Sequence, residues 1–185
     1  RHREIGHTLL LDSADCATLL AYARTCVKAA TERGTVPSLN NPSEKLSSVR
    51  ATFVTIRSKG ELRGCIGQIH PKDPLWKSVQ DMAQAACQDH RFPPLTSSDP
   101  FEIEISILSL PTPIREEEIV VGKHGLIVEA NGKRGVLLPH VATENGWDRE
   151  TFIREVFQKA GLPFENRHSH DLSLKSFMTD LIAEK

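Results

Sequence analysis

Apolar residues recur along this chain at two spacings, and each spacing predicts a different element. From Ser13 onward, Leu19, Leu20, Ala23, Val27 and Ala30 fall at helical intervals, with Ser13 or Asp15 as N-cap and Gly34 as the stop. A polar, proline-bearing loop follows at 34–45. Residues 50–57 (RATFVTIR) are β-branched and aromatic, 58–61 supply a turn, and 62–69 return, which predicts a hairpin. Asp73 as N-cap with Pro74 at the first helical position opens a second helix. Its apolar stripe is Leu75, Val79, Met82, Ala83 and Ala86. Pro93-Pro94 cannot continue that helix, so 90–100 is a rigid loop. Residues 101–110 alternate over their first half, with Phe101, Ile103, Ile105 and Ile107 inward and Glu102 and Glu104 outward. Two prolines then break the strand.

A second hairpin spans 125–138 around Asn131-Gly132, a pair suited to a turn in which both residues take positive φ. A helix capped by Asp148 and closed by Gly161 comes next. The tail from Asp171 is ambiguous: Leu172 and Leu174 alternate like a strand, whereas Phe177 and Leu181 suit a helix. Helices and hairpins are interspersed without a glycine-rich phosphate loop, which gives an α+β fold with mainly antiparallel pairing.

Composition narrows the function classes. The chain has 185 residues, 39% apolar and 25% charged, with a net charge of −1. That is an ordinary globular composition with no general attraction for nucleic acid or anionic membrane. No apolar run reaches the roughly 18 residues of a membrane span. The four cysteines, Cys16, Cys26, Cys65 and Cys87, include no C-x-x-C pair, and two lie in a helix among apolar neighbours. This is the usage of reduced cysteines in a cytoplasmic protein. The first residues, 1–8, begin at an arginine and are taken as a trimmed or foreign terminal segment that carries no structural weight.

Candidate chemistry concentrates in three places. In the strand 62–69, alternation puts Arg63, Cys65 and Ile69 on one face and Leu62, Ile66 and Gln68 on the other. A guanidinium beside a thiol favours the thiolate, and Gly64 and Gly67 leave room for a ligand or another backbone. Alternatively, Cys65 is a small buried apolar group. Asp89, His90 and Arg91 sit where a helix gives way to a rigid loop: either site residues, or cations suited to a helix C-terminus. His124 and His140 flank the second hairpin and could form a Cys–His pair or soft metal site with Cys65. The spacing matches no standard zinc motif, so no metal is assigned, and no motif names a cofactor. His168-Ser169-His170 reads as a solvated loop.

Six short motifs carry a resemblance: LRGCIG at 62–67, RFPP at 91–94, HGLIVE at 124–129, LLP at 137–139, GWD at 146–148 and KAGLP at 159–163. In this order and spacing the chain resembles the AMMECR domain family over nearly its whole length. The resemblance implies one domain over residues 9–185, α+β, in two unequal lobes with the LRGCIG strand lining a cleft between them. It also implies a strand at the C-terminus. It carries over Cys65, Arg63, His124 and Arg91 as candidate catalytic residues, and Gly64, Ile66, Gly67 and Asp89 as candidate ligand-binding residues; His140 joins the ligand-binding candidates from its place beside the second hairpin alone. Similar sequences often have glutamine where this one has His140, and cysteine where it has Phe157. Prokaryotic members are often fused to, or encoded beside, a Memo-type protein and a radical SAM enzyme. Three functions follow as expectations. One is an enzyme with Cys65 as nucleophile or thiolate. Another is an adaptor working with such partners. The third is an RNA-binding protein using Arg57, Arg63, Arg91 and Lys123.

Overall fold

The computed structural model describes residues 11–184, so the expectation for 1–8 lies outside the described residues. By its internal contacts the chain divides into two units, one running to Leu108 and resuming at Asp180, the other Ser109–Thr179.

The first unit opens with α1 (Ser13–Thr31). Its cap is Asp12, one residue before Ser13 and three before Asp15, the two candidates, because the extended backbone of Asp12 lets its carboxylate accept the Asp15 N–H at 2.8 Å. The helix ends at Thr31 with Glu32 as its C-cap, ahead of Gly34; Arg33 then takes a left-handed φ of 56° while the Gly34 N–H closes on the Ala29 carbonyl at 2.8 Å. Strands β1 (Thr52–Ser58) and β2 (Glu61–Gly67) form the expected hairpin, turned by Lys59-Gly60 with φ of 52° and 81°. Helix α2 (Leu75–Cys87) has Pro74 at its N-cap, and Asp73 does not cap it. The orphan N–H groups of Leu75 and Trp76 donate instead to the carbonyls of Ser48 and Leu46, at 2.8 and 3.1 Å. The 34–49 loop therefore does the capping that a side chain was expected to do.

Strand β3 (Glu102–Leu108) pairs antiparallel with β1, and β8 (Thr179–Ala183) completes a sheet of order β2-β1-β3-β8. Val54, Ile56, Ile103, Ile105 and Ile107 line one side of this sheet. They pack with Leu19, Ala23 and Val27 of α1 and Leu75, Val79, Ala83 and Ala86 of α2. Phe101 is only half-buried and lies under the guanidinium of Arg24, 4.3 Å from the ring centroid.

In the second unit, β4 (Thr112–Pro113), β5 (Gly125–Ala130), β6 (Lys133–Leu137) and β7 (Ser173–Phe177) form a sheet of order β4-β7-β5-β6. Asn131-Gly132 turns the hairpin with φ of 53° and 74°, as expected. Helix α3 (Pro139–Glu144) was not anticipated, because six residues are too few to show a helical stripe. Helix α4 (Arg149–Ala160) is capped by Asp148 and closed by left-handed Gly161. Its Phe152, Val156 and Phe157 pack on Leu126, Val128 and Leu137. The ambiguous tail is β7 and β8, the strand form that the resemblance implied.

Candidate functional site

The site is built around a fault in the first hairpin. Phe53 to Ile56 pair with Gly67 to Gly64 in order, but Arg57 pairs with Leu62, so Arg63 is an extra residue in β2. Such a bulge reverses alternation beyond it. Ile66 and Gly64 lie opposite Val54 and Ile56 on the core side, while Cys65 and Gly67 lie opposite Thr55 and Phe53 on the other. Leu62, expected in the core with Ile66, instead stands opposite Arg57 and takes no part in the core cluster. Arg63 and Cys65 accordingly do not form the side-by-side pair that strict alternation predicts. The Arg63 guanidinium donates to the carbonyls of Pro93 and Pro94, at 3.1 and 2.8 Å, and meets the Asp99 carboxylate at 3.3 Å.

Cys65 is held through its backbone. β2 is an edge strand, and the Cys65 N–H donates to Asp89 Oδ2 at 3.0 Å while its carbonyl accepts from Arg91 Nη2 at 2.8 Å. Arg91 also binds both oxygens of Asp89, at 2.9 and 2.7 Å. The side chain of Asp89 is 3% exposed and that of Arg91 64% exposed. The Arg91 guanidinium, aided by the backbone N–H groups of Cys65 and of Arg91 itself, which donates to Asp89 Oδ1 at 3.3 Å, holds the Asp89 carboxyl well below the usual carboxylate range despite burial. Asp89 and Arg91 thus satisfy the outward-facing peptide groups of an edge that would otherwise be open. Together with Arg63 they clasp the 89–99 loop along β2. Asp99 is fixed in turn by the N–H and hydroxyl of Thr96, which pull its carboxyl below the usual range.

The two glycines of the motif make room for the protein itself. A Cβ on Gly64 would lie 2.0 Å from the Ala86 carbonyl oxygen at the end of α2, and one on Gly67 would lie 2.2 Å from the Phe53 ring. The close approach that the sequence suggested is by helix backbone and aromatic ring. The thiol of Cys65 takes a 3.3 Å hydrogen bond from the Thr55 hydroxyl, and Glu104 stands next to Thr55 across β3. Thr55 escaped notice because a regular hairpin would have placed it opposite Gly64; only the bulge moves it to Cys65. Arg57 stands opposite Glu102 in the same register. Of the four cations expected to form a basic surface, Arg63 and Arg91 are therefore committed to carboxylates and carbonyls, and Arg57 faces an acid.

His124 and His140 belong to the second unit. His124 Nδ1 accepts the Val120 N–H at 3.0 Å, and His124 contributes, after Arg115, to lowering the Glu118 carboxyl. His140 is exposed near the start of α3. His168 and His170 are exposed in a connector, as expected. Among the described residues no three His, Cys, Asp or Glu side chains form a group able to hold a metal ion. No helix among them is long and apolar enough to cross a membrane.

The sequence pattern of the AMMECR1 family matches residues 20–182. A protein of Methanothermobacter thermautotrophicus is 41% identical over 145 residues, 73% of this chain and 76% of that one. A protein of Methanopyrus kandleri is 33% identical over 194 residues, 98% of this chain and 93% of its own. The crystal structure of an uncharacterized protein from Pyrococcus horikoshii shares the fold with a TM-score of 0.82 at 30% identity, covering 96% of this chain and 95% of that one.

Proposed function

This chain belongs to the AMMECR1 family, and on that premise we propose that it is a binding module whose recognition face is the non-core side of β2, β1 and β3 around Cys65. One observation carries this reading: the charged groups of the LRGCIG and RFPP stretches are spent on backbone and on each other. Groups committed in this way build a surface and do not transfer protons on it. That surface presents Phe53, Thr55 and Leu62 beside Cys65, all half-buried, with the Arg57–Glu102 pair at one end. A rigid patch of mixed apolar and polar groups suits a protein partner, because little ordering entropy is lost when it is covered. The resemblance nominates Memo-type and radical SAM proteins as partners.

The test is the affinity of a Memo-type protein from the same source for three forms of the chain. Cys65→Ala retains binding to within about twofold, whereas Thr55→Lys, which puts a charge in the centre of the face, weakens it by about tenfold or more. Equal affinity for all three forms, or no affinity for any, would overturn the reading.

A thiol-dependent activity is the second reading, and the Thr55 hydroxyl donated to Cys65 Sγ is the contact that favours it. A hydroxyl directed at sulfur stabilises a developing thiolate. Under this reading Cys65→Ala binds its partner normally but abolishes the biological output.

A further inference from the structure

The arginines of the second unit are almost all spent. Arg115 meets Glu118 at 3.0 Å, Arg134 meets Glu129 at 3.3 Å, Arg154 meets Glu150 at 3.3 Å, and Arg149 donates to the Glu117 carbonyl at 3.0 Å. Arg167 differs. Its guanidinium lies 4.4 Å from the centroid of the Phe164 ring, and that of Arg154 lies 4.3 Å from the same centroid. Its Nε is fully buried yet has no hydrogen-bond partner, and Glu116 Oε1, the carboxylate oxygen facing it, stands 3.6 Å away, beyond hydrogen-bond distance. The side chain as a whole remains one-third exposed, at 33%.

An arginine in this state is unusual for a definite reason. A buried N–H without an acceptor costs free energy, and an orphan of this kind calls for an explanation. Stacking on an aromatic ring also fixes the plane of the guanidinium in advance, so little freedom is lost when an anion docks. Arg167 lines two recesses. One, of about 520 Å³, also includes Arg115, His168, Leu172 and Ser173. The other, of about 320 Å³, includes Arg149, Glu150 and Phe164. Both are walled by Glu116 and Glu117.

We propose that Arg167 anchors an oxyanion site, separate from the Cys65 face, that takes the carboxylate of an acidic peptide. The planar fork of a guanidinium matches the two oxygens of a carboxylate. Glu116 and Glu117 select against a phosphate dianion, whose second charge doubles the repulsion from the walls. Glu116 is also the resident competitor: its carboxylate pairs loosely with the Arg167 Nε at 3.6 Å, and an incoming carboxylate displaces it.

Acetate is the probe, titrated at constant ionic strength into the full chain labelled with ¹⁵N. The Nε–H signal of Arg167 is identified by its loss in Arg167→Lys, a variant that keeps the cation over Phe164. Acetate gives a saturable shift at Arg167 that Arg115, Arg149 and Arg154 do not share and that chloride does not reproduce. Read from the backbone amides of 168–172, Arg167→Lys weakens acetate by about tenfold, since the fork is lost while the charge remains. Glu116→Gln strengthens it. The proposal is overturned by a shift that never saturates, by equal shifts at all four arginines, or by unchanged binding in Arg167→Lys. Tighter binding of inorganic phosphate than of acetate would overturn it as well. Thermal melting of each variant shows whether the fold is intact, and Glu116→Gln, which removes the loose ion pair to Arg167 but no hydrogen bond, decides the matter if Arg167→Lys melts early.

Discussion

The buried carboxylate of Asp89 accepts the amide N–H of Cys65 at 3.0 Å, which closes the free edge of the strand that carries the LRGCIG motif. Arg91 completes the clasp on the Cys65 carbonyl. The thiol is therefore the side chain of a residue whose backbone is pinned on both sides.

Removing the carboxylate undoes the clasp. Asp89→Ala strands the Cys65 N–H and costs about 2 kcal/mol, whereas Cys65→Ala costs about 1 kcal/mol or less. Urea unfolding followed by circular dichroism measures both. In hydrogen exchange, Asp89→Ala deprotects the Cys65 amide far more than that of Val54 in the middle of β1.

The clasp also gives stability a pH dependence of fixed sign. The folded carboxyl of Asp89 is held far below its unfolded value of about 3.9, so its contribution is complete at neutral pH. It is lost as the pH falls below about 4 toward the folded value, because the unfolded chain then binds the proton more readily. The stability difference between the native chain and Asp89→Asn is constant from pH 7 to about pH 5 and shrinks steadily below that. A difference that grows on acidification would contradict the assignment.

Gly64 and Gly67 fail differently when substituted. Gly64→Ala drives a methyl into the backbone oxygen of Ala86, which cannot move without shifting α2, and costs about 3 kcal/mol. Gly67→Ala runs first into the Phe53 ring, a side chain, so the double variant Phe53→Leu/Gly67→Ala is more stable than the sum of the two single effects predicts. Chemical denaturation of the four forms measures this coupling. Gly64→Ala has no comparable rescuing partner.

The cysteines separate by reactivity. Burial pushes the thiols of Cys26 and Cys87 up to about 11. At pH 8 their thiolate populations lie roughly two orders of magnitude below that of an ordinary thiol. Iodoacetamide under native conditions therefore labels half-buried Cys65 well before Cys87, although both are only partly covered. Peptide mass spectrometry over a time course gives the order. Labelling of Cys87 first would contradict the burial assigned to it.

Much of the fold could be read from the chain because local signals agreed with tertiary demands. Asp148 and Gly161 bound α4, Asn131-Gly132 turns the second hairpin, and the isoleucines of β3 alternate into the core. The signals that misled were those overridden by distant partners. Asp73 looks like a cap, but carbonyls from the preceding loop do its work. Helix α3 is too short for periodicity to show. In the candidate site, the LRGCIG and DHRFPP stretches were both noticed, but their bonding to each other was not, since nothing local joins Cys65 to Asp89 across 24 positions. The bulge at Arg63 was invisible for a related reason. A one-residue fault is set by the sheet as a whole, and it moves Leu62 out of the core and Thr55 opposite Cys65.

The most direct test of the central claim is the affinity of a Memo-type partner for the native chain and for Cys65→Ala, measured by calorimetry beside Thr55→Lys. A face that binds without thiol chemistry predicts nearly equal affinities for the first two and a loss of about tenfold or more for the third. Full binding by Thr55→Lys, or loss of binding in Cys65→Ala with its fold intact, would contradict it.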